Sequence, residues 1–382
     1  MRFLHTADWH LGRLFHGLHL TDDQAVVLQQ IVQLTRDCRP DALLIAGDLF
    51  DRAVPPPEAV DLLDDVLNTL ILELKVPVVA IAGNHDSSVR LEFAAGVLRR
   101  QGLHVVGSPT NPVTTVTFDT AAGDVLVHAI PYAEPAVLRT CLNAPDVCDH
   151  QTGMQAVVAS VHKTYNGHPR QILMGHGTVL GGEGCESERP LSVGGAYTVD
   201  PACFAGFAYV ALGHLHRPQT LGDEGQIHYA GSLMKYSFSE AAHHKTVSLV
   251  EMDKDGRCHV EKIPLKARHD VRCLRGTLAD LLRGPQDGLS AEDYVHVVLE
   301  DTGAILDPIG KLRQVYPNVM SLERSETTLG SGSAARMDHR RVSDAMLFAS
   351  FYREVTGESL TEDQAAAYAN VVDAMHQSAR EA

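Results

Sequence analysis

Five short segments of this chain place metal-ligand residue types directly after apolar runs. They are Asp8-Trp9-His10, Gly47-Asp48-Leu49-Phe50-Asp51, Gly83-Asn84-His85-Asp86, Gly175-His176-Gly177 and Gly213-His214-Leu215-His216. Carboxylates, imidazoles and an amide oxygen suit manganese, iron or zinc, whereas magnesium alone favours an all-oxygen shell. Two divalent ions about 3.5–4 Å apart can clamp a phosphoryl group, activating a water and neutralising charge. Such a pair needs a bridging carboxylate and ligands delivered by separate loops. The glycines beside these residues permit tight turns and close approach of a phosphate to backbone. Singly, each segment has a plainer explanation: a chance Asp-x-His, a turn after a strand, a helix-capping His85, surface histidines at 214 and 216. Together, in order and each at a strand end, they point to one site.

The elements that must carry them are legible from periodicity. Residues 3–6, 42–46 and 78–82 read as strands, the second as a continuous apolar run buried on both faces. Thr21 and Gln24 form a capping-box pattern ahead of Val27, Leu28, Ile31 and Leu34. Pro57 suits the first turn of a helix carrying Val60, Leu63, Val66, Leu67 and Leu70. Another helix is expected over 91–100. This βαβαβα order predicts a largely parallel sheet covered by helices, with ligands gathered at the carboxyl ends of its strands. Strands then come closer together, at 104–106, 113–118 and 125–130. A helix over 154–165 precedes strands at 172–174, 208–212, 227–230, 246–252 and 259–263. The mix predicts two stacked sheets with outer helices.

Near residue 265 the pattern changes. A strand at 271–274, a helix at 278–282, a strand at 295–299 and an amphipathic stretch at 309–315 read as a compact αβ unit. The small, polar segment Gly330-Ser331-Gly332-Ser333-Ala334-Ala335 reads as a linker. Beyond it, Met346, Leu347, Phe351 and Val355 line one helical face, and a second capping box, Thr361 to Gln364, precedes Tyr368, Val372 and Met375.

Composition narrows the function. With 48 acidic against 32 basic residues, the formal charge is −16. Bulk charge therefore cannot drive nucleic-acid binding, which requires clustered Lys and Arg, metal ions or a separate partner chain. The seven cysteines include no C-x-x-C pair, which argues against a disulfide framework or zinc ribbon and fits a reducing compartment. Gly181-Gly182-Glu183-Gly184 lacks a following Lys-Ser/Thr, so it is no P-loop and supplies no ATPase site. Neither a targeting signal nor a membrane-length apolar run is seen, and the expectation is a soluble, cytoplasmic protein. Trp9 reads as a packing residue beneath the metal floor rather than a base-stacking platform. Arg13, Arg52 and Arg90 flank the motifs and are the candidate phosphate contacts, with Phe15, His16 and His19 close to the cleft.

The ordered set D-x-H, G-D-x-x-D, G-N-H-D, G-H and G-H-x-H resembles the calcineurin-like metallophosphoesterases over roughly residues 1–265. That resemblance implies an α/β (α+β) fold built as a four-layer double β-sandwich with flanking helices. It implies Asp8, His10, Asp48 and His216 on one metal, and Asp48, Asn84, His176 and His214 on the other, with Asp48 as bridge. His85 would contact the phosphate as general acid or transition-state stabiliser. A finer similarity is to the SbcD branch of the DNA-repair nucleases. It is carried by H-T-A-D-W-H-L-G at 5–12, A-G-D-L-F-D at 46–51, I-A-G-N-H-D at 81–86, Y-A-G-S-L at 229–233 and F-Y-R-E-V-T-G-E-S-L-T-E-D-Q at 351–364. This branch implies a nuclease domain over 1–265, a small αβ capping domain over 266–325, a linker over 326–336 and a C-terminal helix-loop-helix over 337–382. It also implies two divalent ions, manganese foremost, and exo- and endonuclease action on DNA ends and hairpins in break repair. The helical tail would grip the coiled coil of an SbcC-type ATPase, with a homodimer inside a heterotetramer. Archaeal and eukaryotic relatives carry a histidine where this chain has Asp51, so their endo/exo balance does not carry over. The alternative is a calcineurin-like phosphodiesterase or phosphatase acting on small substrates such as cyclic nucleotides.

Overall fold

Two six-stranded sheets stack face to face in the computed structural model, which describes residues 1–191, 197–286, 288–302, 305–325 and 344–381. The chain divides into two units, Met1–Arg272 and Cys273–Ala382. In the first unit, one sheet runs in the order Cys258–Pro264, Thr246–Met252, Arg2–Thr6, Ala42–Ile45, Val78–Ile81, Leu103–Val106. Its last four strands are parallel. The other sheet runs Gln219–Leu221, Ile227–Tyr229, Tyr209–Gly213, Gln171–His176, Val125–Ala129, Thr115–Phe118, with the middle four parallel.

Strand periodicity explains the layers. Phe3, Ala42, Leu44, Val79 and Ile81 from the first sheet meet Val127, Ile172, Met174, Tyr209 and Ala211 from the second. The alternate residues Leu173, Val210 and Leu212 pack on Val157, Val158 and Val161 of the helix His150–Tyr165. On the first sheet, the alternate residues Leu4, Leu43 and Ile45 are equally buried, as are Val27, Leu28 and Ile31 of the helix Thr21–Cys38. Both faces of each sheet are thus covered, which is why the central strands read as unbroken apolar runs.

Three details depart from the sequence reading. The helix expected over 91–100 is broken into Ser88–Leu91, Ala95–Leu98 and a 3-10 turn at Arg99–Gln101, because Ala94 adopts a left-handed conformation with φ 58°. Thr21 is already helical and caps nothing; the residue before the helix is Leu20. Gln24, the other half of that supposed capping box, is fully buried and turns toward the site instead. The helix His150–Tyr165 begins earlier than expected, at a capping box made by Asp149 and Thr152.

In the second unit, the strands Val271–Gly276, Tyr294–Leu299 and Val319–Arg324 form a sheet over Leu278, Leu281, Leu312 and Tyr316. The helices Asp344–Thr356 and Glu362–Glu381 follow, with Phe348 stacked on Tyr368 at 4.0 Å between ring centroids. Here the capping box forms: Thr361 N donates to Gln364 Oε1 (3.0 Å) and Gln364 N to Thr361 Oγ1 (3.3 Å). The expected linker, 326–336, lies outside the described residues.

A polar spine crosses the sandwich core. His5 Nδ1 hydrogen-bonds the Tyr209 hydroxyl at 3.0 Å, and His228 stacks on the Tyr209 ring. Burial, reinforced by His228, pushes the His5 imidazole down to about 3. Above its unfolded value the group is neutral in both states and stability is full. As pH falls below that value, the unfolded chain binds a proton that the fold excludes, so stability is lost. Between about pH 7.5 and about pH 5 this one residue should remove about 2 kcal/mol. Urea unfolding with metals chelated should therefore show wild type losing that much more than His5→Gln over the same interval. Equal losses would mean that His5 is protonated in the fold.

Candidate metal centre

Five parallel strands, Arg2–Thr6, Ala42–Ile45, Val78–Ile81, Gln171–His176 and Tyr209–Gly213, deliver the motif residues at their carboxyl ends to a common floor. The chain leaving Arg2–Thr6 stays paired with the chain leaving Ala42–Ile45: Asp8 N donates to Gly47 O, His10 N to Asp48 O and Leu11 N to Leu49 O, each at 3.0 Å. This pairing persists even though Asp8, His10 and Asp48 adopt left-handed backbones, with φ of 52°, 46° and 51°; His214 does so at 98°. Such conformations cost roughly 1–3 kcal/mol apiece for residues with a Cβ and persist only where the surroundings enforce them. Four of the seven expected ligands are held this way. Small residues make the enforcement possible. A Cβ on Gly83 would overlap the Asp48 carboxylate, and one on Gly213 would overlap the Ala46 carbonyl.

The seven residues converge. Asp8, His10 and His216 form one buried group and Asp48, His176 and His214 another, with ligand atoms within 4.8 Å of one another in each. Asn84 joins the second: its Oδ1 lies 2.9 Å from His176 Nε2 and 3.1 Å from His214 Nδ1. Asp48 stands between the groups, Oδ2 being 3.3 Å from His176 Nε2 and 3.6 Å from His10 Nε2. Asp51, His10 and His85 make a third, overlapping set.

The donor set fits cations. His176 Nδ1 is committed to the Ala46 carbonyl at 2.9 Å, so in the neutral ring the Nε2 lone pair points at acceptors, Asn84 Oδ1 and Asp48 Oδ2. His10 Nε2 likewise faces His216 Nε2 at 3.1 Å, and the other ring nitrogen of His10 lies 3.4 Å from Asp51 Oδ1. Lone pairs directed at one another call for positive charge between them. The electrostatics agree. Burial opposes charge on His176, yet the Asp48 carboxylate lifts it to about 9. Burial likewise opposes the charge on Asp48, but His176, His10 and His85 hold it below the usual carboxylate range. A field that draws a proton to this spot also draws a metal ion.

His85 sits beside the floor rather than in it. Its N–H donates to Asp48 Oδ1 at 2.8 Å, and Nδ1 donates to the Asp51 carbonyl at 2.8 Å, leaving Nε2 available. Burial pushes its imidazole down to about 4. Asp86 fixes the loop, its carboxylate accepting from the N–H groups of Leu49, Phe50 and Gly83.

The arginines part company. Arg13 is half-buried and engaged by Asp51 Oδ1 (3.0 Å), the Ser187 carbonyl (3.1 Å) and the Tyr236 ring. Arg52 and Arg90 are exposed and outside the ligand groups. Trp9 is fully buried, its indole N–H on Thr6 Oγ1 at 3.0 Å, and offers no face to a base. Several residues that shape the floor escaped the motif reading. Gln24 Nε2 donates to His10 O (2.8 Å) and Trp9 O (3.2 Å), while its Oε1 accepts from Gly12 N. Tyr236 donates to Trp9 O at 2.5 Å, and Ser187, Glu188, Glu240 and Lys245 cluster behind His216. A polar residue in register with Val27, Leu28 and Ile31 on the apolar face of its helix was the available signal for Gln24; the others lie in segments without a pattern.

Acid and histidine loops on the carboxyl ends of a β-sandwich define the metallophosphoesterase class, and residues 1–218 match the calcineurin-like phosphoesterase family model. Residues 267–356 match a domain described as the type 5 capsule protein repressor C-terminal domain. Over 379 residues, covering 98% of each chain, the sequence is 31% identical to the SbcD chain of the SbcCD nuclease from Staphylococcus saprophyticus. The chain belongs to the SbcD family of calcineurin-like phosphoesterases. Solved structures similar to it include a dimetal phosphatase from Danio rerio, at 14% identity and TM-score 0.41, covering 69% of this chain and 96% of that one. Another is a protein from Thermus thermophilus, at 13% identity and TM-score 0.41, covering 68% and 98%.

Proposed function

We propose that this protein is a metal-dependent DNA nuclease, hydrolysing phosphodiester bonds at DNA ends and hairpins as the partner of an SbcC-type coiled-coil ATPase. The observation that carries the reading is the pair of buried acid–histidine groups with Asp48 between them and His85 at their edge. Asp8, His10, Asp48 and His216 would hold one divalent ion, and Asp48, Asn84, His176 and His214 the other, with manganese suited to the mixed oxygen and nitrogen donors. Such a pair supplies Lewis-acid polarisation of the phosphoryl group and an activated water. The protein's own part is to fix the ligand geometry, exclude bulk water from the floor, and present His85 Nε2 to the reacting phosphate.

DNA is favoured over a small diester because similarity to the SbcD chain of the SbcCD nuclease runs through both units. In this reading residues 266–325 form the capping domain that shapes DNA access. The tail from 337 docks on the ATPase; exposed Met346, Phe351, Val355 and Val371 supply apolar surface for that contact. No helix among the described residues is long and apolar enough to cross a membrane, and action in the cytoplasm completes the proposal. A homodimer within a heterotetramer is part of it too. Val89, Phe93 and Val97 recur every fourth residue and are exposed, Phe93 at 82%. Phe93→Glu should convert a dimer to a monomer by light scattering while leaving hydrolysis of a small diester intact; an unchanged mass would place the dimer contact elsewhere.

The test is degradation of a labelled linear duplex with manganese, magnesium or chelator. Cleavage that requires manganese supports the nuclease. Cleavage of cyclic nucleotides or aryl diesters, with duplex left intact even when the ATPase and ATP are present, would replace it with the small-substrate reading.

A further inference from the structure

His216 is pinned at every polar atom except one. Its backbone N–H donates to Glu188 Oε1 at 2.6 Å. Its carbonyl accepts from Lys245 Nζ at 2.7 Å and from Ser232 N at 3.2 Å. Its ring Nδ1 lies 2.6 Å from Ser187 Oγ. The remaining atom, Nε2, faces His10 across the first ligand group.

The direction of the Ser187 contact follows from what lies behind it. Ser187 Oγ is 2.7 Å from Glu240 Oε1. Glu240 is fully buried, and its carboxylate also accepts from Tyr236 N at 2.9 Å and from the Lys245 ammonium. A carboxylate so placed beside a buried ammonium is ionised and can only accept. The single hydroxyl proton of Ser187 therefore goes to Glu240, and its oxygen must accept from His216 Nδ1. With Nδ1 carrying the hydrogen, Nε2 keeps its lone pair.

We propose that Ser187, Glu240 and Lys245 form a positioning relay that holds His216 in the one tautomer and orientation able to donate Nε2 to a cation. The inference rests on the metal-centre reading above and deepens it. The relay also makes the two ligand groups unequal. His176 orients through a backbone carbonyl, at Ala46, and His10 Nδ1 faces the Asp51 carboxylate at 3.4 Å with no hydroxyl between them. Of the four histidines, His216 alone is backed by a hydroxyl–carboxylate–ammonium chain among the described contacts. The carboxylate at its centre raises the donor strength of the imidazole. The three members come from separate segments: Ser187 from the stretch after the strand Gln171–His176, Glu240 from the turn Phe238–Glu240, Lys245 from the residue before the strand Thr246–Met252. Metal affinity at the His216 position thus depends on the packing of elements that never touch the metal.

The experiment is a manganese titration of the full chain, reading free ion by electron paramagnetic resonance. Wild type should take up two ions. Ser187→Ala should bind one of them about 10–100-fold more weakly, with the other unchanged. Ser187→Thr, which retains the hydroxyl, should restore the lost affinity. The thermal midpoint of Ser187→Ala in chelator should match wild type, which separates positioning from folding. Two ions bound by Ser187→Ala as in wild type would overturn the relay and leave the metal centre standing. Equal weakening of both ions together with a lower midpoint in chelator would also overturn it, since the role would then be structural. Wild type that takes up no manganese would remove the metal-centre reading itself.

Discussion

Asp48→Asn should lower phosphodiester hydrolysis by about 10³-fold or more and bring bound manganese from two ions per chain to one or none. The substitution is chosen because asparagine tolerates the left-handed backbone that Asp48 adopts, so the loop is not forced to move. Only charge is removed. Asp48 is buried and lies between His10 and His176, so its loss weakens both groups together, unlike loss of any other ligand. The Oδ1 contact to His85 N survives in the amide, keeping the neighbouring loop in place. Metal analysis of the purified variant and its turnover on a labelled duplex check the two halves separately. A variant that holds two ions and turns over normally would show that Asp48 does not bridge.

His85→Ala should lower kcat by about 10²–10⁴-fold with metal content and KM little changed. The ring touches the floor through its edge against His10, at 4.6 Å between centroids, and supplies no atom to the two buried groups built around Asp8 and Asp48. With Nδ1 bound to the Asp51 carbonyl, Nε2 is the atom that can meet the leaving oxygen. The substrate series then separates two roles. A general acid matters less when the leaving group needs no proton, so the defect should shrink on an aryl diester with an acidic phenol. A defect of equal size on natural and activated diesters would assign His85 to stabilising the phosphoryl charge instead.

The convergence of the candidate ligand residues was legible because each combines a distinctive side chain with a fixed place, the carboxyl end of an apolar strand. Position along the chain and position in space coincide there. The sandwich was legible for a similar reason, since Ala42–Ile45 and Val78–Ile81 are apolar at every residue. What failed was local chemistry with two possible uses. Thr21 and Gln24 have capping-box spacing, but Gln24 is turned into the core, where its amide donates to the Trp9 and His10 carbonyls. The same spacing at Thr361 and Gln364 does form the cap, because that helix start is exposed and the one other contact of the side chain, Gln364 Nε2 donating to the Tyr352 hydroxyl, leaves Oε1 free for Thr361 N. Ser187, Glu240 and Lys245 were invisible for a different reason. Their partnership exists only after Ser187, 53 residues before Glu240 in the chain, is folded against the Glu240–Lys245 turn.

The four left-handed ligand backbones carry a consequence for anyone seeking a hardier version of this protein. Glycine relieves the strain at such positions, and a search for heat-resistant variants of the metal-free chain would be drawn to Asp8, His10, Asp48 and His214. Each such success would delete a proposed ligand. At these four positions durability and turnover select opposite residues, so a screen scored on survival alone would enrich sturdy, inert molecules.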